Sequence, residues 1–312
     1  MYTGGMARQP LGQHFLASDE WRDRVIQELG AIAYAAKNNR SINFENAAID
    51  GSAQGVINPA PLANDNVNIP WIEIGAGHGE MTEQLAAIGA GGGARGDSRV
   101  IAIETDEHLA AKLRARKIPE VEVVHADVLS SDLASLAGGD FRVYGNLPYY
   151  ITSPILHHLL ENFRAHIRDI HIVIQWEVAE RIAASPGSRA YGYLSAFCQF
   201  HTRPEILLRI PSDAFEPPPK VSSALIRLTL PGEGEQLGIS GADVPAFFAL
   251  VKTCFAHKRK NLRNNLRSIG PDAAIAEALA VTQIPPTSRA EQIPLNKMAA
   301  LFNALRAKTA ST

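Results

Sequence analysis

The chain of 312 residues is 46% hydrophobic and 20% charged, with a formal net charge of −2. Such a composition excludes a disordered chain and allows one large domain and a smaller one, each with its own core. A charge so near zero exerts no overall pull towards nucleic acid or membrane, so a polyanionic partner has to meet a local basic patch. Cys198 and Cys254, the two cysteines, lack metal-ligand spacing, which fits a reducing compartment and buried thiols. With no apolar run of about 18 residues, and no secretory core in "MYTGGMARQPLGQHFL", a cytoplasmic protein away from membranes is expected.

Taken in chain order, residues 36 to 69 are rich in Asn, Ala and other small residues with weak periodicity and read as an insertion. From Trp71 short β-branched runs alternate with amphipathic patterns: "WIEI" then "MTEQLAAI", "VIAI" then "EHLAAKLRA", "VEVV", "FRVYG" then "SPILHHLLENF", "DIHIVIQ" then "EVAERIAA". This alternation predicts right-handed βαβ units in a doubly wound, Rossmann-like α/β sheet covered on both faces. "GAGGGARGDS", Gly89 to Ser98, reads as a flexible connection, and "PEILLRI" and "SALIRLTL" as further strands. The Gly-rich stretch Pro231 to Gly241 reads as a linker. The expected organisation is therefore a sheet domain over 1–230, a linker over 231–241 and a small all-helical domain over 242–312.

The first strand runs into "EIGAGHGEMT", with Gly75, Gly77 and Gly79 before a helix. Glycines there let the backbone turn sharply and approach a ligand at a helix N-terminus, although a tight strand-to-helix turn alone accounts for the same spacing. The next strand ends in Glu104, placed to accept both ribose hydroxyls of a nucleoside. The third leads to Asp127, either an acceptor for an adenine amine or a helix cap. Together these positions point to an adenosine-type ligand at one edge of the sheet.

The fourth strand delivers "GNLPYY" to that edge. Pro148 fixes its own backbone and holds Leu147 extended, so Asn146, Leu147, Pro148 and Tyr149 form a stiff segment. The amide oxygen of Asn146 and the main-chain carbonyl of Leu147 can accept the two hydrogens of an aromatic exocyclic amine. Held in that way, the nitrogen is pyramidal and its lone pair faces an electrophilic methyl group. Tyr149 can stack on the base, an interaction of about 1 to 3 kcal/mol. An Asn-capped turn with a packed aromatic is the alternative for this loop taken alone.

The segments "LGQHFL", "EIGAGHGEMT", "IAIE", "HADVL", "YGNLPYYITSPIL", "QWEVAERI", "SRAYGYLS", "FEPPPKVSSALIRL" and "FAHKRKNLRNNL" together resemble the KsgA/RsmA/Dim1 family of rRNA adenine dimethyltransferases. The resemblance implies a cofactor, S-adenosylmethionine, leaving as S-adenosylhomocysteine. It implies that Gly75, Gly77, Glu104, Asp127 and Asn146 bind the cofactor, with His14 and Leu16 closing over it. It further implies that residues 146 to 149 are the catalytic loop and that Phe215 of "FEPPPKV" packs against the flipped target adenine. The implied substrate is two adjacent adenosines near the 3′ end of 16S rRNA in the small ribosomal subunit, with a role in its biogenesis. An Erm-type 23S rRNA methyltransferase and an assembly factor that binds without needing catalysis are the rivals. His14 stands where the family usually has Asn, and His257 where it usually has Arg.

Lys252, Lys258, Arg259, Lys260, Arg263 and Arg267 occur in a stretch without Asp or Glu. It reads as a one-sided basic helix suited to phosphate contacts and salt-sensitive RNA binding. The ten histidines form no ligand cluster, so no metal is expected. A monomer is expected.

Overall fold

A computed structural model of the chain describes residues 14–38, 69–90 and 99–309. Most of the 36 to 69 insertion and residues 91–98 of the Gly-rich connection lie outside the described residues. The strands are β1 Phe15–Leu16, β2 Trp71–Ile74, β3 Val100–Glu104, β4 Val121–His125, β5 Phe141–Asn146, β6 Ile167–Gln175, β7 Arg203–Ile210, β8 Phe215–Glu216 and β9 Ser223–Thr229. Helices α1 Asp19–Asn38, α2 Glu80–Ala90, α3 Glu107–Ala115, α4 Leu133–Ala137, α5 Thr152–Asn162, α6 Trp176–Ile182 and α7 Tyr193–His201 alternate with them. The chain then becomes helical, through α8 Asp243–Cys254, α9 Leu262–Leu266, α10 Asp272–Val281 and α11 Leu295–Thr309.

The main sheet has the order β4-β3-β2-β5-β6-β9-β7, and β4, β3, β2, β5 and β6 pair in parallel. Every residue of β2 and of β3 is buried, the carboxylates Glu73 and Glu104 included, as strands covered on both faces require. Local chemistry sets the helix boundaries. Asp106 caps α3 by accepting from His108 N at 2.8 Å and Leu109 N at 3.0 Å, and Ala110 and Leu113, one turn apart, are its buried face. The chain runs outward from β2 to β4 and returns on the other side as β5, so the order reverses between β2 and β5. A crevice outside the strands' carboxyl ends at such a reversal is where doubly wound sheets bind ligands.

Packing divides the chain into two compact units, residues 1–176 with 207–226 and residues 177–206 with 227–312, whereas the sequence reading placed a boundary at 231–241. In the second unit the aromatic side chains of α7 are core: Phe197 and Phe200 lie 5.1 and 5.0 Å from Phe248, and Phe200 5.4 Å from Phe247. The stretch read as a linker packs on the same helix. Gly232 N donates to His201 O at 2.9 Å, and a Cβ on Gly232 would overlap Thr202 N and lie 2.5 Å from Gln199 O. Glycine serves close approach there, because backbone atoms cannot yield as a side-chain tip can. Gly232→Ala is expected to destabilise the protein by about 1 to 3 kcal/mol, read as a lower midpoint in urea unfolding; an unchanged midpoint would contradict this packing.

Candidate active site

Four successive parallel strands deliver the expected residues to one edge. Gly75 and Gly77 follow β2 with φ of +75° and +57°, a left-handed backbone that disfavours side chains. Glu104 ends β3 and is 2% exposed; one oxygen accepts from Gly77 N at 2.8 Å and the other from Asp106 N at 2.9 Å. The carboxylate thus fastens the glycine loop to the next strand while keeping further lone pairs for hydroxyl donors. Asp127 follows β4, and its Oδ1 accepts from Leu129 N at 2.9 Å. The capping role weighed for it in the sequence is therefore present in the structure. The residues fit a nucleoside cofactor: a Cβ on Gly75 would find its nearest atom 4.0 Å away at Asn146 O, so the turn leaves open space beside Gly75.

The loop after β5 is held from several sides. Leu147 is 1% exposed, and its N–H donates to Val173 O at 3.0 Å. Pro148 O accepts from Ile151 N at 3.2 Å, opening α5. Tyr149 Oη lies 2.9 Å from Ser223 Oγ, and burial raises its phenol above the ordinary range. Asn146 Nδ2 donates to the main-chain carbonyl of His14 at 2.8 Å. A carbonyl only accepts, so this bond orients the amide with its oxygen left as an acceptor.

The N-terminal strap makes that possible. β1 pairs antiparallel with β8, Phe15 opposite Glu216 and Leu16 opposite Phe215. Strand alternation sends neighbouring side chains to opposite faces. Leu16 enters the core at 5% exposure, while Phe15 lies over the glycine loop, 2.8 Å from where a Cβ on Gly77 would stand and with its ring 4.7 Å from that of His78. The strap residue against the loop is therefore Phe15, a position sequence reasoning missed. Phe215, which the resemblance set against the target adenine, is 3% exposed and packed within the core cluster.

Sequence reasoning also missed Glu73, 2% exposed on β2 and accepting from Thr82 Oγ1 at 2.5 Å. Burial, with the charges of Glu80 and Glu104, pushes its carboxyl from the ordinary 4.5 up to about 8. Its cross-strand neighbour Tyr144 has a buried hydroxyl with no hydrogen-bond partner among the described residues. The folded state thus holds a proton that the unfolded chain releases above pH 4.5, so this contribution to stability is lost as pH rises towards 8. Differential scanning calorimetry is expected to show a melting temperature falling on the order of 5 °C from pH 5 to pH 8, and a flatter curve for Glu73→Gln. Parallel curves would contradict the buried proton.

The basic stretch takes a different form from the one-sided helix expected. α8 stops at Cys254, because Asn265, 5% exposed, donates from Nδ2 to Cys254 O at 2.6 Å and to His257 O at 3.3 Å. An amide buried under the end of α8 satisfies carbonyls that a longer helix would otherwise use. Lys252 lies on the last turn of α8, Lys258, Arg259 and Lys260 are exposed in the turn that follows, and Arg263 and Arg267 lie on and just after α9. The apparent lack of acidic partners is corrected too: Arg263 Nε donates to Asp272 Oδ1 at 3.1 Å, and Arg267 Nε is 3.8 Å from the same oxygen. The acid comes from the first turn of α10, beyond the basic stretch that ends at Arg267.

A parallel sheet with this order reversal, a glycine loop, carboxylates at successive strand ends and the oriented Asn-Leu-Pro-Tyr loop define the class, a Rossmann-like methyltransferase. The family described as ribosomal RNA adenine dimethylase matches residues 46–307, and the chain belongs to that family. Among its relatives, Ribosomal RNA small subunit methyltransferase A of Acidobacterium capsulatum is 44% identical over 75% of this chain and 80% of the relative. The protein of the same name from Xylella fastidiosa is 36% identical over 96% of both chains. The crystal structure of a dimethyladenosine transferase from Plasmodium falciparum shares the fold, with a TM-score of 0.67, 20% identity and coverage of 95% of this chain and 98% of that one. That of the 23S rRNA methyltransferase ErmE aligns with a TM-score of 0.57 and 26% identity over 76% of this chain and 91% of its own. No described helix is long and apolar enough to cross a membrane.

Proposed function

We propose that this chain dimethylates the exocyclic amines of two adjacent adenosines near the 3′ end of 16S rRNA within the small ribosomal subunit, in the cytoplasm. The observation that carries the reading is the orientation of Asn146, whose amide nitrogen is committed to His14 O at 2.8 Å. Its oxygen and the Leu147 carbonyl then accept the two amine hydrogens and turn the nitrogen lone pair outward. S-adenosylmethionine supplies, when bound, a methyl group made electrophilic by the sulfonium. Gly75, Gly77, Glu104 and Asp127 would hold it, while Tyr149, its hydroxyl 2.9 Å from Ser223 Oγ, offers a ring to the base. Catalysis on this reading is positioning and electrostatics with no strong base.

Relatives named for the small subunit, at 34 to 44% identity, favour that subunit over the large-subunit reading suggested by the ErmE likeness. Lys252, Lys258, Arg259 and Lys260 are exposed and supply phosphate contacts, with Arg263 and Arg267 joining once Asp272 shares them. The target base leaves its stack to reach the loop, at least cost where the RNA is unpaired. The reading is tested by labelled methyl transfer to undermethylated small subunits, with large subunits in parallel. Label in the small subunit alone supports it, and label in the large subunit or in neither contradicts it.

A further inference from the structure

His14 touches the loop that the proposed function assigns to the target base and the segment carrying Phe215, which the family resemblance places against that base. Its main-chain carbonyl accepts from Asn146 Nδ2 at 2.8 Å. Its ring lies 5.3 Å from that of Tyr149, inclined at 31°. Its Nδ1 is 2.6 Å from the carbonyl of Pro217, directly after the β8 strand that carries Phe215. A carbonyl cannot donate, so Nδ1 carries the hydrogen of that bond.

Before Phe215 the strap is joined to the base-side segment by Ala17 N and Ser18 N, which donate to Ala214 O at 2.9 and 3.1 Å. β1 and β8 pair over two residues each, and so short a ribbon is marginal without further support. The Ala214 bonds supply it on one side of β8 and the imidazole on the other, tying Pro217 to the same residue that orients Asn146. The family resemblance placed this position against the cofactor, whereas the side-chain contacts of His14 run to Tyr149 and Pro217. The Phe15 ring, packed on Gly77 and His78, covers the glycine loop.

We infer that His14 is a positioning residue for the target adenine: through Nδ1–H it sets the Phe215 to Pro217 segment against the Asn146 to Tyr149 loop. This inference rests on the proposed adenine transfer. An imidazole lost from this point loosens the wall opposite the catalytic loop, and a displacement of about 1 Å in a reacting group can cost about a hundredfold in rate.

Two variants separate the donor from the ring. His14→Phe keeps an aromatic ring against Tyr149 but removes the donor. His14→Asn discards the ring and keeps an N–H at nearly the place of Nδ1. Turnover on undermethylated small subunits at saturating S-adenosylmethionine is measured for both beside the unaltered protein, with cofactor affinity measured by calorimetry without RNA. His14→Phe is expected to lose about 10- to 100-fold in kcat with cofactor Kd within twofold, and His14→Asn to recover most of the rate. Full kcat for His14→Phe, equal losses in both variants, or a tenfold weaker cofactor Kd would each overturn the assignment. Failure of the unaltered protein to methylate small subunits would instead remove the underlying reading and this inference with it.

Discussion

Asn146→Ala is expected to lower the rate of methyl transfer by about 10²- to 10³-fold while leaving the fold intact, as measured by single-turnover transfer at saturating cofactor. Such a loss is typical when one preorganised polar group facing the reacting atom is removed. The side chain is cut back to a methyl, so the acceptor for one amine hydrogen disappears together with the bond to His14 O at 2.8 Å. Asn146→Asp is a sharper test. A carboxylate would turn an oxygen towards the His14 carbonyl, where the native amide presents N–H, and two acceptors cannot bond without a proton. It is therefore expected to be as inactive as the alanine variant, although it keeps an acceptor oxygen. A nearly active aspartate variant would mean that the orientation of the amide is unimportant.

Glu104→Gln is expected to weaken S-adenosylmethionine binding by about 10- to 100-fold, measured by calorimetry, because hydrogen bonds to charged groups contribute about 1.5 to 3 kcal/mol. Both oxygens already accept main-chain N–H groups, Gly77 N at 2.8 Å and Asp106 N at 2.9 Å, in a site where the residue is 2% exposed. A glutamine must turn its NH2 towards one of those donors and leave it unpaired in a buried place. The damage reaches the glycine loop as well as the ribose contacts. A variant that binds the cofactor normally would remove Glu104 from the site.

Much of this edge was legible because a parallel sheet orders its strand ends. Once "WIEI", "VIAI", "VEVV" and "FRVYG" read as successive strands, Gly75, Glu104, Asp127 and Asn146 had to emerge on one side. The parts that escaped reading depend on contacts between segments distant in sequence. A ribbon of two residues paired with two has no periodicity to detect, so the meeting of Phe15–Leu16 with Phe215–Glu216 was invisible. Asn265 looks like an ordinary polar residue in a helical run, yet its amide folds under the end of α8 and breaks that run. Asp272 lies only a few residues past the basic stretch, and charge counting within the stretch missed it. The glycines at 232 and 234 have the composition of a linker, but a Cβ at either would run into the segment that α7 occupies. Composition reports flexibility and close packing with the same residue.

The chemistry proposed here is most directly tested by mapping methylated nucleosides, by mass spectrometry of fragmented RNA, after undermethylated small subunits react with the protein and S-adenosylmethionine. Dimethyladenosine at two adjacent positions near the 3′ end of the 16S rRNA, absent when Asn146→Ala is used, is the expected outcome. Methyl groups on another base, at a ring nitrogen of adenine, or in full yield with Asn146→Ala would contradict the role of the loop at 146 to 149.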